Sequence, residues 1–328
     1  MNPRHIPRLS ALLTLTLCAF ATPTLAQSDA PTRLFIDDLG RRVMIPADPQ
    51  RIVSTDDVFV TVPLLELGAA LVGSQGRPTR SGPPALRSSK VLTGLGFDNS
   101  DLAFLGADPV DVESIVAARP DLIVTLTTRS IPPDQLQQIA PTVVLNPNLH
   151  RPRELYRLFA DVTGREAARD RMEAQYQAGL ALIAVLLDGK SPSVSLFDAT
   201  ESRKISVSHT YGALGEAIRD AQLSLPALTR QIPEMEGLEL SPEVLPEMDA
   251  DLIIGTYRDD RQDGPAAARE ALAALYPGYC EVLTACARGR IYFMPRDIAR
   301  GNTYSARMMA IAFLLAILPN VVEPAPAN

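Results

Sequence analysis

The chain has 328 residues, 46% of them hydrophobic and 21% charged, with 38 acids against 31 bases, three histidines and no tryptophan. That balance excludes a nucleic-acid binder that works by bulk charge, and the length provides for two lobes with a core each. Apart from His5, the only histidines are His150 and His209, too few for a multi-histidine site holding bare zinc or manganese, so no direct metal site is expected.

Arg4 and Arg8 precede an apolar run over residues 11–21, and Thr24-Leu25-Ala26 puts small residues where a signal peptidase reads them. The run is too short to span a membrane, and the large Leu17 before Cys18 argues against lipid attachment. We expect a signal peptide over residues 1–26, cleaved after Ala26, and export as a free protein. The remainder holds 29 bases against 38 acids, a net charge of −9.

Residues 34–46 read as a β-hairpin around Asp38-Leu39-Gly40. Residues 51–53 form a buried strand, and Ser54-Thr55-Asp56 caps a helix over residues 58–67 that stops at Gly68. A strand at residues 71–73 opens into the Pro-, Gly- and Ser-rich stretch SQGRPTRSGPPALRSS, which carries Arg77 and Arg80. Loops at strand ends commonly carry function.

Residues 111–126, DVESIVAARPDLIVTL, predict a helical segment with an early acid, Glu113, and then a fully apolar strand of the kind found inside parallel sheets. The strand ends in Thr127-Thr128-Arg129. A helix over 135–139 and a strand over 141–145 follow. Next come a helix over Pro152–Thr163 and a long one over Glu166–Leu187, whose large side chains at 172, 176, 180, 183 and 187 form one helical stripe. Its 22 residues span about 33 Å.

Beyond that strut the pattern returns. Residues 241–256, SPEVLPEMDADLIIGT, repeat the first sentence with Glu243 in the place of Glu113 and Asp251 in that of Asp121. Around this repeat lie a strand at 194–197 with Arg203 in the turn after it, a strand ending at Ser208 with His209 and Tyr211 in its loop, and a helix over 213–221. Tyr257 and Arg258 follow the second repeat. The last strand, residues 290–294, leads into PRDIARGNTYSARMM with Arg300, Asn302 and Tyr304, before an apolar helix over 306–318.

Ligands of open α/β sheets bind beyond the carboxyl ends of the strands. The expected site therefore gathers Arg77, Arg80, Arg129, Arg203, His209, Tyr211, Tyr257, Arg258, Arg300 and Tyr304. Guanidinium forks suit carboxylate, catecholate or hydroxamate oxygens. No G-x-S-x-G, H-E-x-x-H, P-loop or G-x-G-x-x-G pattern argues for an enzyme. Cys280 and Cys286 either bridge or stand as two buried thiols, and the flanking Pro277-Gly278 and Arg288-Gly289, which leave little room for a regular helix, favour the bridge.

The leader, the opening LGRRVMIPADPQRIVS, ARPDLIV and DADLII, the strut and the closing RGRIYFMPRDIARG together resemble the periplasmic substrate-binding proteins of ABC importers for iron–siderophore complexes. The resemblance implies an α/β fold of class III type: two similar Rossmann-like lobes, residues 27–150 and 191–328, joined by a helical linker over 151–190 with one long helix, and closing with little hinge motion. It also implies a monomer, no intrinsic cofactor, and docking of Glu113 and Glu243 on a membrane permease. Residues such as ESRKISVSHTYGALGEAI look most like the ferric citrate and ferric siderophore branch, and the lack of tryptophan sets hydroxamate and cobalamin cargoes lower. A haem or cobalamin carrier on the same scaffold is the second reading, and a chelate-modifying enzyme a remote third.

Overall fold

The computed structural model describes residues 31–79, 82–234, 236–258 and 263–322. The expected signal peptide and Arg80 lie outside them. The chain opens with the hairpin β1 (Thr32–Ile36) and β2 (Arg42–Pro46), antiparallel with Leu34 opposite Met44. Its inward side chains, Phe35, Val43 and Ile45, join the main core.

The first lobe is a parallel sheet. After β3 (Ile52–Ser54), Asp56 caps a π-helical turn (Asp57–Thr61) by accepting from the Val58 and Phe59 amides, and the turn runs into α1 (Val62–Glu66). Then come β4 (Leu71–Ser74), α2 (Ser89–Thr93), β5 (Ala103–Phe104), α3 (Val112–Ala118), β6 (Leu122–Leu126), α4 (Pro133–Gln137) and β7 (Thr142–Leu145). The strand order β5-β4-β3-β6-β7 puts wholly buried β3 and β6 at the centre.

Helix α5 (Pro152–Thr163) ends at Gly164 in the left-handed conformation, and α6 (Glu166–Leu187) is the strut. On α6, Tyr176, Gly179, Ile183 and Leu187 are buried. A methyl at Gly179 would stand 2.9 Å from the side chain of Ile311, so glycine there allows the last long helix to lie close along the strut.

The second lobe is less regular than the first. Its elements are β8 (Val194–Leu196), β9 (Asp198–Ala199), β10 (Ile205–Ser208), α7 (Gly212–Asp220), α8 (Ala227–Arg230), β11 (Gly237–Leu240), a 3-10 turn (Pro242–Met248) and β12 (Leu252–Tyr257). Then follow α9 (Pro265–Leu275), α10 (Tyr279–Val282), α11 (Thr284–Ala287), β13 (Ile291–Pro295), α12 (Arg296–Ala299) and α13 (Tyr304–Ile317). Only β13-β12-β8 form its parallel sheet; β11-β10-β9 pair antiparallel beside it.

The two repeated sentences occupy matching places. Asp121, just before β6, accepts from the Gln50 and Arg51 amides at 2.7 and 2.9 Å and so fixes the start of β3. Asp251, just before β12, does the same for β8 through the Ser193 amide and hydroxyl at 2.9 and 2.8 Å. The helical segments differ, because Pro246 lies inside the second and holds it as a 3-10 turn.

Cys280 and Cys286 form a disulfide with Cα atoms 4.8 Å apart. The chain makes two short helical turns there, broken at Leu283, instead of one helix.

Candidate functional site

The carboxyl ends of β3, β4 and β6 in the first lobe and of β13 in the second face one another across a cleft. Strand register puts one aspartate in the same place on each side. Ile52 pairs with Leu122 and Val194 with Leu252, and four residues beyond each first-strand residue stand Asp56 and Asp198. Each holds a cleft arginine: Asp56 pairs with Arg129 at 3.2 Å, and Asp198 with Arg300 at 3.3 Å.

Around this pair the interlobe cavity, about 230 Å³, is lined by Asp57, Arg77, Arg87, Arg296 and Asn302 among others. Arg77 grips Asp57 with two nitrogens at 2.6 and 3.3 Å, and that hydrogen bond raises its pKa further. Arg87 crosses from the first lobe to Asp297 of the second at 3.2 Å. Burial pushes the Asp56 carboxyl up, against the opposing pull of the Phe59 amide and Arg129. Arg296 is held below the usual guanidinium range by burial and by the neighbouring charge of Arg300.

Some of the unmet donors among the described residues belong to these arginines. The Nε atoms of Arg87, Arg129, Arg296 and Arg300 are buried and have no hydrogen-bond partner among the described residues. The side chains of Arg87, Arg129 and Arg300 nevertheless stay partly exposed, so the outer nitrogens of their guanidinium groups are within reach of oxygen acceptors in the cleft.

Arg300 is placed by its own neighbours. A methyl on Gly212 would come within 2.4 Å of the Arg300 Cα atom, so only glycine, here at φ +61°, admits that backbone. The guanidinium lies 4.9 Å from the centre of the Tyr211 ring, and the Tyr211 hydroxyl donates to Asp198 at 2.6 Å. Tyr211 is 2% exposed, and burial followed by the Asp198 charge drives its hydroxyl well above the ordinary tyrosine pKa.

Of the expected site residues, Arg77, Arg129 and Arg300 line the interlobe cavity with Asn302, while Tyr257 and Arg258 line an adjoining one in the second lobe that shares Arg296 and Arg300. Four expectations are corrected. Tyr211 is buried behind Arg300 and does not line the cleft. Tyr304 is 3% exposed and sits against Tyr156 with ring centres 4.9 Å apart, because its position at the start of α13 turns it into the joint between helices. His209 donates from Nδ1 to the Ile232 carbonyl at 2.9 Å in a separate depression with Arg151, Arg219 and Glu234. Arg203 is exposed and folds back on the Ala274 carbonyl at 3.1 Å.

Sequence reasoning missed Arg87 and Arg296, although both stand in strand-end loops, SQGRPTRSGPPALRSS and PRDIARG, that it singled out. It also missed the paired Asp56 and Asp198. Away from the cleft, Glu113 and Glu243 are both exposed in the first turn of their helical segments.

The family model for the periplasmic binding protein matches residues 95–298. An iron(3+)-hydroxamate-binding protein, YxeB of Bacillus subtilis, is 31% identical over 223 residues, covering 65% of this chain and 64% of that protein, just under two thirds of its length. Among solved structures, a FhuD fold-family periplasmic binding protein component of a Fep/Fec-like ferrichrome ABC transporter from Bacillus subtilis superposes with a TM-score of 0.69 at 19% identity over 88% of this chain and all of that one. SirA of Staphylococcus aureus, complexed with staphyloferrin B, gives 0.68 at 20% identity over 88% of this chain and 98% of its own. With this likeness in fold, the two α/β lobes and long helix of this chain are the class III arrangement. The match over most of the chain, on that fold and around an interlobe cleft, makes this chain a member of the periplasmic binding protein family.

Proposed function

We propose that this protein is a periplasmic receptor for a ferric chelate, ferric siderophore or ferric citrate in type, which it holds between its lobes and delivers to an ABC importer in the inner membrane. The observation that carries this reading is the convergence of Arg77, Arg87, Arg129, Arg296 and Arg300 on one cleft from both lobes. Such groups meet the oxygen shell of a chelate with charge-assisted hydrogen bonds. The ligands of two similar proteins, iron(3+)-hydroxamate and staphyloferrin B, support an iron chelate, and the first of these brings hydroxamate oxygens level with carboxylate ones in spite of the missing tryptophan.

The same reading includes export through the leader over residues 1–26 and action as a monomer, with lobes over 27–150 and 191–328 and a linker over 151–190. Glu113 and Glu243, one exposed acid per lobe at matching points of the repeat, are the proposed contacts with the permease. The haem or cobalamin reading draws no support from His209, which lies outside the cleft.

A thermal-shift panel with ferric citrate, ferrioxamine B, a ferric catecholate, haemin and cobalamin tests the cargo. Ligand at a hundred times its Kd stabilises by about 2.7 kcal/mol. A shift with a ferric chelate and none with its iron-free form supports the reading; a shift with haemin or cobalamin alone contradicts it.

A further inference from the structure

The interlobe cavity adjoins a second compartment of about 650 Å³, cut into the second lobe between α9 and the sheet. Its floor is apolar. Ile253 and Gly255 of β12 stand opposite Ile291 and Phe293 of β13, alternate positions on one face of the sheet. The lid is α9, which turns Ala267, Ala268, Ala271 and Leu272 towards that floor. The Phe293 ring covers Gly255, and the short side chains of the three alanines leave the gap between α9 and the sheet open.

Arg296 and Arg300 line both compartments, so the larger one begins where the cationic cleft ends. Beyond the two shared arginines its walls carry Asp198, Glu201, Glu239 and Asp263 against one cation, Arg258, a balance that opposes a second anionic group. A ferric citrate-type head held on the arginines would leave this larger, apolar-floored space to water.

Resting on the function proposed above, we propose that the cargo is asymmetric: a chelating head sits on Arg129, Arg296 and Arg300, and an uncharged aliphatic or aryl arm of the same molecule occupies the compartment beneath α9. Chelate binding supplies the orientation, and burial of the arm supplies selectivity for armed chelates over bare ones.

The test uses ferric N-acetyl- and N-hexanoyl-desferrioxamine B, which share head and charge and differ by four methylenes, titrated calorimetrically into the mature protein. The N-hexanoyl form should bind at least about tenfold tighter, with the N-butanoyl form between the two. In Ala268→Phe, which fills the space under α9, the ratio should fall below about threefold. Equal affinity of the derivatives for the unaltered protein overturns the arm site and leaves the receptor reading standing. Failure of both derivatives and of ferric citrate to bind overturns the receptor reading and the arm site with it.

Discussion

The Glu66 carboxylate accepts the backbone amide of Tyr304 at 2.9 Å, so the end of α1 in the first lobe caps the start of α13 in the second. The same carboxylate takes the Ser305 amide and, at 2.6 Å, the Tyr156 hydroxyl. An anion at a helix N-terminus is favoured by the helix dipole as well as by the hydrogen bonds. Together with the strut, this joint ties one lobe to the other.

Glu66→Ala removes three donors' partner at a half-buried site. The expected loss is about 3 kcal/mol, on the order of 5 °C in Tm for a chain of this size. Differential scanning calorimetry reads it; an unchanged Tm would mean that the joint contributes nothing to stability.

Arg129→Ala and Arg300→Ala each remove a guanidinium from the cleft while leaving its aspartate on other donors, the Val58 and Phe59 amides for Asp56 and Tyr211 with Thr256 for Asp198. Affinity for the ferric chelate should fall about tenfold to a hundredfold, as expected for loss of a charge-assisted hydrogen bond of about 1.5–3 kcal/mol. Arg203→Ala, outside the cleft, serves as the control, and equal losses in all three variants would contradict the geometry.

How far the residues alone reach is clear from these positions. The strut and α5 were legible to the residue because a 22-residue helix repeats its stripe many times, and β6 was legible because a wholly buried parallel strand is a continuous apolar run. Pairing was not legible: nothing local says that Ile205–Ser208 pairs antiparallel with Gly237–Leu240 instead of extending the parallel sheet. Strand ends pointed to the loops of Arg77, Arg129, Arg258 and Arg300, which line the two adjoining cavities. They could not tell that Tyr211, at φ 45°, sinks its ring behind Arg300, or that Tyr304 turns inward to the helix joint. Loop membership is local, but side-chain direction depends on packing from distant segments.

Charge reversal of both Glu113 and Glu243 to lysine should abolish uptake of the chelate by cells while its affinity for the purified protein stays within about twofold, since both acids are exposed and away from the cleft. Paired uptake and binding measurements decide this. Lost affinity, or unimpaired uptake, would remove them from the docking surface.

Asp249 predicts a pH dependence. Burial would raise its carboxyl, but hydrogen bonds from the Thr284 side chain and the Thr284 and Ala285 amides outweigh it and hold the pKa below the usual 3.8. A carboxyl lowered on folding stabilises above its unfolded pKa and loses that contribution as pH falls through the folded value. Asp249→Ala should therefore melt lower than the parent at pH 7, with the gap closing below about pH 3.8. Melting curves from pH 7 to pH 2.5 check it; a gap that widens on acidification would contradict the assignment.

The central claim, that the arginine-lined cleft is a ferric-chelate site, is tested most directly by equilibrium dialysis of the mature protein against radioiron-labelled ferric citrate and ferrioxamine B, each with and without Arg129→Ala/Arg300→Ala. The account predicts retention of one iron per chain for at least one chelate, competed by unlabelled ferric chelate and lost in the double variant. No retention of either, or retention that survives loss of both arginines, would contradict it.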